Sequence, residues 1–128
     1  MELSNDGSSA MFTLDITPTT LTVRYERWTR LFVRRSRTDI PLAAIREVVP
    51  VARPLAQARG LRAGLVVNGV LKAGTWSGFD GVRRLVCARR GEPGLRIVLD
   101  RRIDGVDELV LSLAGAEGVR RRLAGAAA

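Results

Sequence analysis

A chain of 128 residues with no histidine and a single cysteine has few ways of doing chemistry. Ser-His and Cys-His nucleophilic catalysis are excluded, as are imidazole-ligated metals. Cys87 alone forms no intramolecular disulfide and no multi-cysteine metal site, and its place between Val86 and Ala88 suits a small buried apolar residue. The acids Asp80, Asp100, Asp104, Asp107 and Glu108 are too scattered to pair as an acid and a base. Asp104 and Asp107 flank Gly105 in a turn, where aspartate is favoured for backbone reasons. The glycines of Gly74-Thr75-Trp76-Ser77-Gly78-Phe79-Asp80-Gly81 lack both the P-loop lysine pattern and the dinucleotide spacing. The chain is therefore expected to be no enzyme, with no catalytic residue, cofactor or metal.

Binding is the chemistry that remains. The net charge is +8, from 20 Arg and one Lys against 13 acids, which favours polyanionic partners. A composition rich in Arg, Ala, Gly and Val fits a GC-rich genome. That accounts for Arg in place of Lys, though not for the excess of bases over acids. The densest candidate is Arg24–Arg37, where Arg24, Arg27, Arg30, Arg34, Arg35 and Arg37 stand among Tyr25, Trp28 and Phe32. A hairpin there would carry several guanidinium forks near one indole, a surface suited to anionic partners. Arg24, Arg27, Trp28, Arg30 and Arg35 are the expected partner-binding residues. Trp76 joins them if it is exposed; otherwise Trp76 or Phe79 plugs one end of a sheet. Arg83-Arg84 and Arg89-Arg90 divide between two strand faces, so they concentrate no patch. Nucleic acid is not the expected partner, because aromatics make up only 5% of the chain and stacking platforms are lacking.

These residues need a scaffold. The length suits one domain: a polar lead-in over 1–9, a body over 10–124 and a frayed tail over 125–128. Phe12, Leu14 and Ile16 alternate with polar residues, as do Leu21, Val23 and Tyr25, and the break at Pro18-Thr19 makes the two runs a hairpin. Leu31–Arg35 reads as a third strand. After Pro41 the pattern fits a single helical turn followed by a strand from about Arg46 to Val51, or a longer helix ended by Pro50. Leu55–Arg59 fits one helical turn, and Leu61–Val67 a strand closed by Asn68-Gly69. The segment 72–81 reads as a loop. Strands over Val82–Arg89 and Leu95–Asp100 follow, joined as a hairpin by Gly91-Glu92-Pro93-Gly94. Asp104-Gly105 turns the chain into Leu109–Leu113, and Ala114–Ala124 closes it as a short amphipathic helix. The sum is a mainly β fold: about seven antiparallel strands in a bent sheet or partly open barrel, capped by a C-terminal helix.

A strand pair, then IPLAAIREV (Ile40–Val48), then a GTW loop and hairpin, then DELVLSL (Asp107–Leu113) into a short helix resembles the bacterial pleckstrin-homology-like domains of the small actinobacterial type. The resemblance spans nearly all of residues 10–124 and implies a strongly bent seven-stranded sheet under a terminal helix, with no enzyme activity. It also implies links to membrane proteins or assembly through sheet edges, although the chain has none of the membrane-spanning helices many such proteins carry. Pleckstrin-homology domains of eukaryotes often bind phosphoinositides at an early basic hairpin loop. Their lysine-and-arginine spacing is not repeated here, so no residue is carried over.

No apolar run reaches the roughly 20 residues that span a bilayer, and the polar, acidic start is no secretory signal. The expectation is a cytoplasmic interaction module, peripheral to the membrane at most, that docks on an acidic protein or an anionic membrane surface. The alternative is a homo-oligomer assembled through an open sheet edge.

Overall fold

The computed structural model describes residues 7–127. Ten strands and two α-helices follow in order: β1 (Gly7–Ser8), β2 (Phe12–Ile16), β3 (Thr20–Tyr25), α1 (Arg27–Val33), β4 (Arg37–Pro41), β5 (Ile45–Val51), β6 (Leu61–Val67), β7 (Leu71–Ser77), β8 (Arg83–Arg89), β9 (Gly94–Ile103), β10 (Val106–Ser112) and α2 (Ala116–Ala127). Single 3₁₀ turns at Leu42–Ala44 and Pro54–Gln57 flank β5. The strands form two open sheets, one ordered β1-β2-β3-β4 and the other β5-β9-β10-β8-β7-β6.

The alternating residues meet where a half-buried strand requires. Phe12, Leu14 and Ile16 of β2 and Leu21, Val23 and Tyr25 of β3 turn inward, onto Leu85, Cys87, Ile97, Leu109 and Leu111 of the larger sheet. Leu113, just before α2, and Ala116, Val119 and Leu123 of α2 close the same core. The larger sheet also buries part of its other face, where Trp76, Val86, Ala88 and Val110 pack under Leu55 and Ala58 beside the second 3₁₀ turn. Being covered on both sides, β10 reads as an almost unbroken apolar run.

Several sequence expectations change, beginning with the single bent sheet of about seven strands, since ten strands lie in two sheets. Arg24–Arg37 is no simple hairpin, because α1 stands between β3 and β4 in place of the strand expected at Leu31–Arg35. Trp28, Thr29, Phe32 and Val33 fall on one helical face and are covered, and that period outweighs the β propensity of Leu31–Val33. Arg34 ends the helix in the left-handed conformation (φ 59°), its N–H donating to Arg30 O at 2.9 Å.

The segment 72–81 is largely strand, since β7 runs through Gly74. Gly74 lies opposite Gly64 of β6, and a Cβ on either would come within 2.4–2.6 Å of the other strand's backbone. Here the glycines mark a close strand crossing and not a loop.

The strands are also not all antiparallel. β8 and β9 do not pair; β10 lies between them, parallel to β8 and antiparallel to β9. Of the lead-in expected over residues 1–9, Gly7–Ser8 pair with Thr13–Leu14, and the remainder up to residue 6 lies outside the described residues. α2 continues to Ala127, into the tail segment 125–128.

Candidate partner-docking site

α1 has two faces. Its covered stripe is held down by Trp28, which meets Phe32 edge-on with ring centroids 6.5 Å apart and donates from Nε1 to Ala10 O at 3.2 Å. Its outer stripe is Arg27, Arg30, Leu31 and Arg34, the i, i+3, i+4, i+7 spacing of one helical face, and all four are exposed. Leu31 is 76% exposed. Among the described residues Arg27, Arg30 and Arg34 have no carboxylate partner. Arg30 donates from Nε to Tyr25 O at 2.9 Å, which orients the side chain and leaves its charge uncompensated.

The expected site residues thus separate. Arg27 and Arg30 share the open face. Arg24 is exposed, but its Nε lies 2.9 Å from Asp15 Oδ2, and its cross-strand neighbour Arg37 pairs with Asp39 at 3.1 Å. Arg35 is a clip: it reaches the Asp104 carboxylate at 3.1 Å and donates to Val33 O and Asp104 O, tying the end of α1 to the β9–β10 turn. Trp28 faces inward as an anchor. Trp76 is only 3% exposed and offers a partner no surface. Leu31 and Arg34 complete the open face; Arg34 belongs to the basic stretch but not to the expected partner-binding residues, and Leu31 is expected only as part of a strand. The signal that finds them is helical spacing, hidden once Leu31–Arg35 is read as a strand.

Apart from Glu26, the described carboxylates lie within 4.0 Å of arginines. Arg102 grips Asp107 with two hydrogen bonds, of 3.1 and 2.8 Å, and the Arg83 N–H donates to it at 2.9 Å. The Arg102 fork holds the Asp107 carboxyl below the usual range, and Arg120 does the same for Glu117. A general acid or base working near neutrality needs the opposite shift. Among the described residues no three potential metal-ligating side chains cluster.

Cys87 and Tyr25 are buried ionisable groups of the core. Burial pushes the Cys87 thiol from 9.0 up to about 12, and burial likewise raises the Tyr25 phenol, whose oxygen lies 2.7 Å from Thr38 Oγ1. Both groups ionise in the unfolded chain before they do so in the folded one. The stability they contribute is full below pH 9 and is lost as pH rises through the folded values. Urea unfolding should show stability falling by about 1.4 kcal/mol per pH unit for each group, from pH 9 for Cys87 and from pH 10 for Tyr25. Cys87→Ala should delay the onset of that fall to about pH 10, where the Tyr25 phenol begins to ionise when unfolded.

Compared with protein-family models, curated proteins and solved structures, the chain has no match.

Proposed function

We propose that this chain is a non-catalytic interaction module of the pleckstrin-homology-like kind that docks on an acidic protein or an anionic membrane surface through the outer face of α1. One observation carries the reading: three guanidinium groups without carboxylate partners among the described residues stand around an exposed leucine on a helix whose other face is anchored. Guanidinium is weakly hydrated and binds carboxylate or phosphate as a fork, so an arginine face gives up little to meet an anionic surface. The net charge of +8 adds long-range attraction to any such partner. A mainly β body ending in a helix is compatible with the pleckstrin-homology-like resemblance, and the module reading follows from it. Among the described residues no helix is long and apolar enough to cross a membrane.

The expected behaviour is binding to acidic surfaces that weakens as salt is raised. Arg27→Glu with Arg30→Glu should weaken it by roughly thirtyfold or more, at about 1 kcal/mol for each basic residue removed from an anionic surface. Retention on an acidic matrix that ignores both salt and this double reversal would refute the reading.

Assembly is the second reading, favoured by β6. It is the outermost strand of its sheet, its residues from Leu61 to Gly64 are exposed, and Arg62 is its only charge. An apolar edge with so little charge is a template for another strand. Light scattering separates the two readings: a stable oligomer supports assembly, a monomer supports docking.

A further inference from the structure

The most exposed large apolar side chain of the described residues is not on α1. Phe79 is 99% exposed at the tip of the β7–β8 connection. That connection is firmly built. Gly78 N–H donates to Val82 O at 2.9 Å, Gly81 N–H to Gly78 O at 3.1 Å, and Val82 N–H to Asp80 Oδ1 at 3.0 Å. From outside the loop, Arg102 donates through Nη2 to Gly81 O at 3.1 Å while gripping Asp107. The phenyl ring is thus held out in water by a preorganised support, an arrangement with no gain for the isolated fold. Leu61, 73% exposed, lies opposite Ser77 at the base of the same loop.

Arginines stand just behind this apolar tip. Arg83 is also opposite Ser77, and Arg62 is opposite Trp76, one strand residue further from the tip. Arg62 has no carboxylate partner among the described residues, and Arg83 forms no ion pair there, although its charge helps to lower the Asp107 carboxyl. Asp80 is the loop's own carboxylate; one oxygen accepts the Val82 N–H and the other lies 3.9 Å from Arg84 Nη2.

We infer that this tip inserts into an anionic phospholipid bilayer, with Phe79 and Leu61 entering below the headgroups and Arg62 and Arg83 pairing with lipid phosphates. The inference rests on the docking reading and names its partner. The order of layers favours lipid: Phe79 leads at the tip, Leu61 and Arg83 stand level behind it at the loop base, and Arg62 is one strand residue, about 3 Å, further back. That matches an interface where acyl chains lie roughly 5–10 Å beneath the charged layer. A convex projection also suits a deformable surface, whereas a protein partner needs a pocket shaped for the ring.

Vesicle co-sedimentation with full-length protein tests this. Wild type should bind phosphatidylcholine vesicles containing phosphatidylglycerol, and bind pure phosphatidylcholine much more weakly. Phe79→Ala with Leu61→Ala should reduce binding by roughly tenfold or more, since each exposed side chain would otherwise leave water. Phe79→Trp should add an emission that shifts to the blue on vesicles and is quenched by brominated acyl chains, against the wild-type background of Trp28 and Trp76. Binding to anionic vesicles with no quenching, and no loss in the alanine pair, overturns insertion while docking stands. Salt-sensitive retention on polyglutamate without any vesicle binding overturns the lipid partner and leaves an acidic protein. Failure on both surfaces overturns the docking reading as well.

Discussion

Gly94→Ala is expected to cost about 3 kcal/mol, the upper end of what overpacking a core costs, and to lower the melting temperature by roughly 10 °C or more. Gly94 is buried at the start of β9, between Ser112 of β10 and Val51 of β5. A Cβ there would lie 2.3 Å from Leu111 O and 2.8 Å from Pro54 Cγ. The first contact is with backbone in the central strand, which has no room to move. Gly118→Ala is the matched control. Its Cβ would meet nothing within 4 Å on α2, so it should be neutral or stabilise by up to about 1 kcal/mol through helix propensity. Thermal and urea unfolding of both variants measures the difference. Equal stabilities would mean that the chain does not pass β10 as closely as this.

The close passage follows from the topology. Arg90–Pro93 carries the chain from β8 to β9 across the end of the strand between them. Two strand spacings are about 10 Å, within the reach of four residues. Leu113 N–H donates to Pro93 O at 3.0 Å as the chain leaves β10 beside that arch. Gly91-Glu92-Pro93-Gly94 has a hairpin's composition, and nothing local distinguishes a turn between neighbours from an arch over a third strand. The continuous burial of β10 is the relevant signal, because a strand covered on both faces belongs in the middle of a sheet.

Legibility varied with how local the cause is. β2, β3 and β6 declared themselves by alternation or a bounding turn, and Asp104-Gly105 announced the β9–β10 hairpin, with Asp104 at φ 52° and Gly105 at φ 80°. β7 was obscured because Gly74 serves a partner strand, Gly64, ten residues away in sequence. At the candidate site Arg27 and Arg30 were found by composition alone. Arg24 and Arg35 were chosen on the same grounds, yet pair with Asp15 and Asp104, which depends on strand register and on where a distant turn arrives. Leu31 and Phe79 drew no notice as site residues because an apolar residue in sequence defaults to the core. Their exposure is a tertiary fact.

Glu108→Ala is expected to cost about 3 kcal/mol, the loss typical of a buried ion pair deprived of one partner. Glu108 crosses the outer face of the larger sheet in a row of charges. Its carboxylate lies 2.6 Å from Arg84 Nε and 3.7 Å from Arg96 Nη1, and Arg96 reaches Glu47 at 3.9 Å. The Glu108 and Arg84 side chains are only 9% and 17% exposed. Arg84 is flanked across the sheet by Trp76 and Glu108, so removing that carboxylate leaves a guanidinium that water barely reaches with only the more exposed Asp80, 3.9 Å from Nη2. Arg96 is more exposed and can turn toward solvent. The paired replacement Arg84→Met with Glu108→Leu should behave differently. It removes both desolvation costs together, so it is expected to stay within about 1 kcal/mol of wild type or exceed it, far from the sum of the single losses. It also removes one positive and one negative charge, so the net charge stays at +8. Binding to anionic vesicles should then match wild type, in contrast to the loss expected on Arg27→Glu with Arg30→Glu. If the paired variant binds more weakly at unchanged stability, the arginines of the sheet face share in docking and the α1 face is only part of the surface.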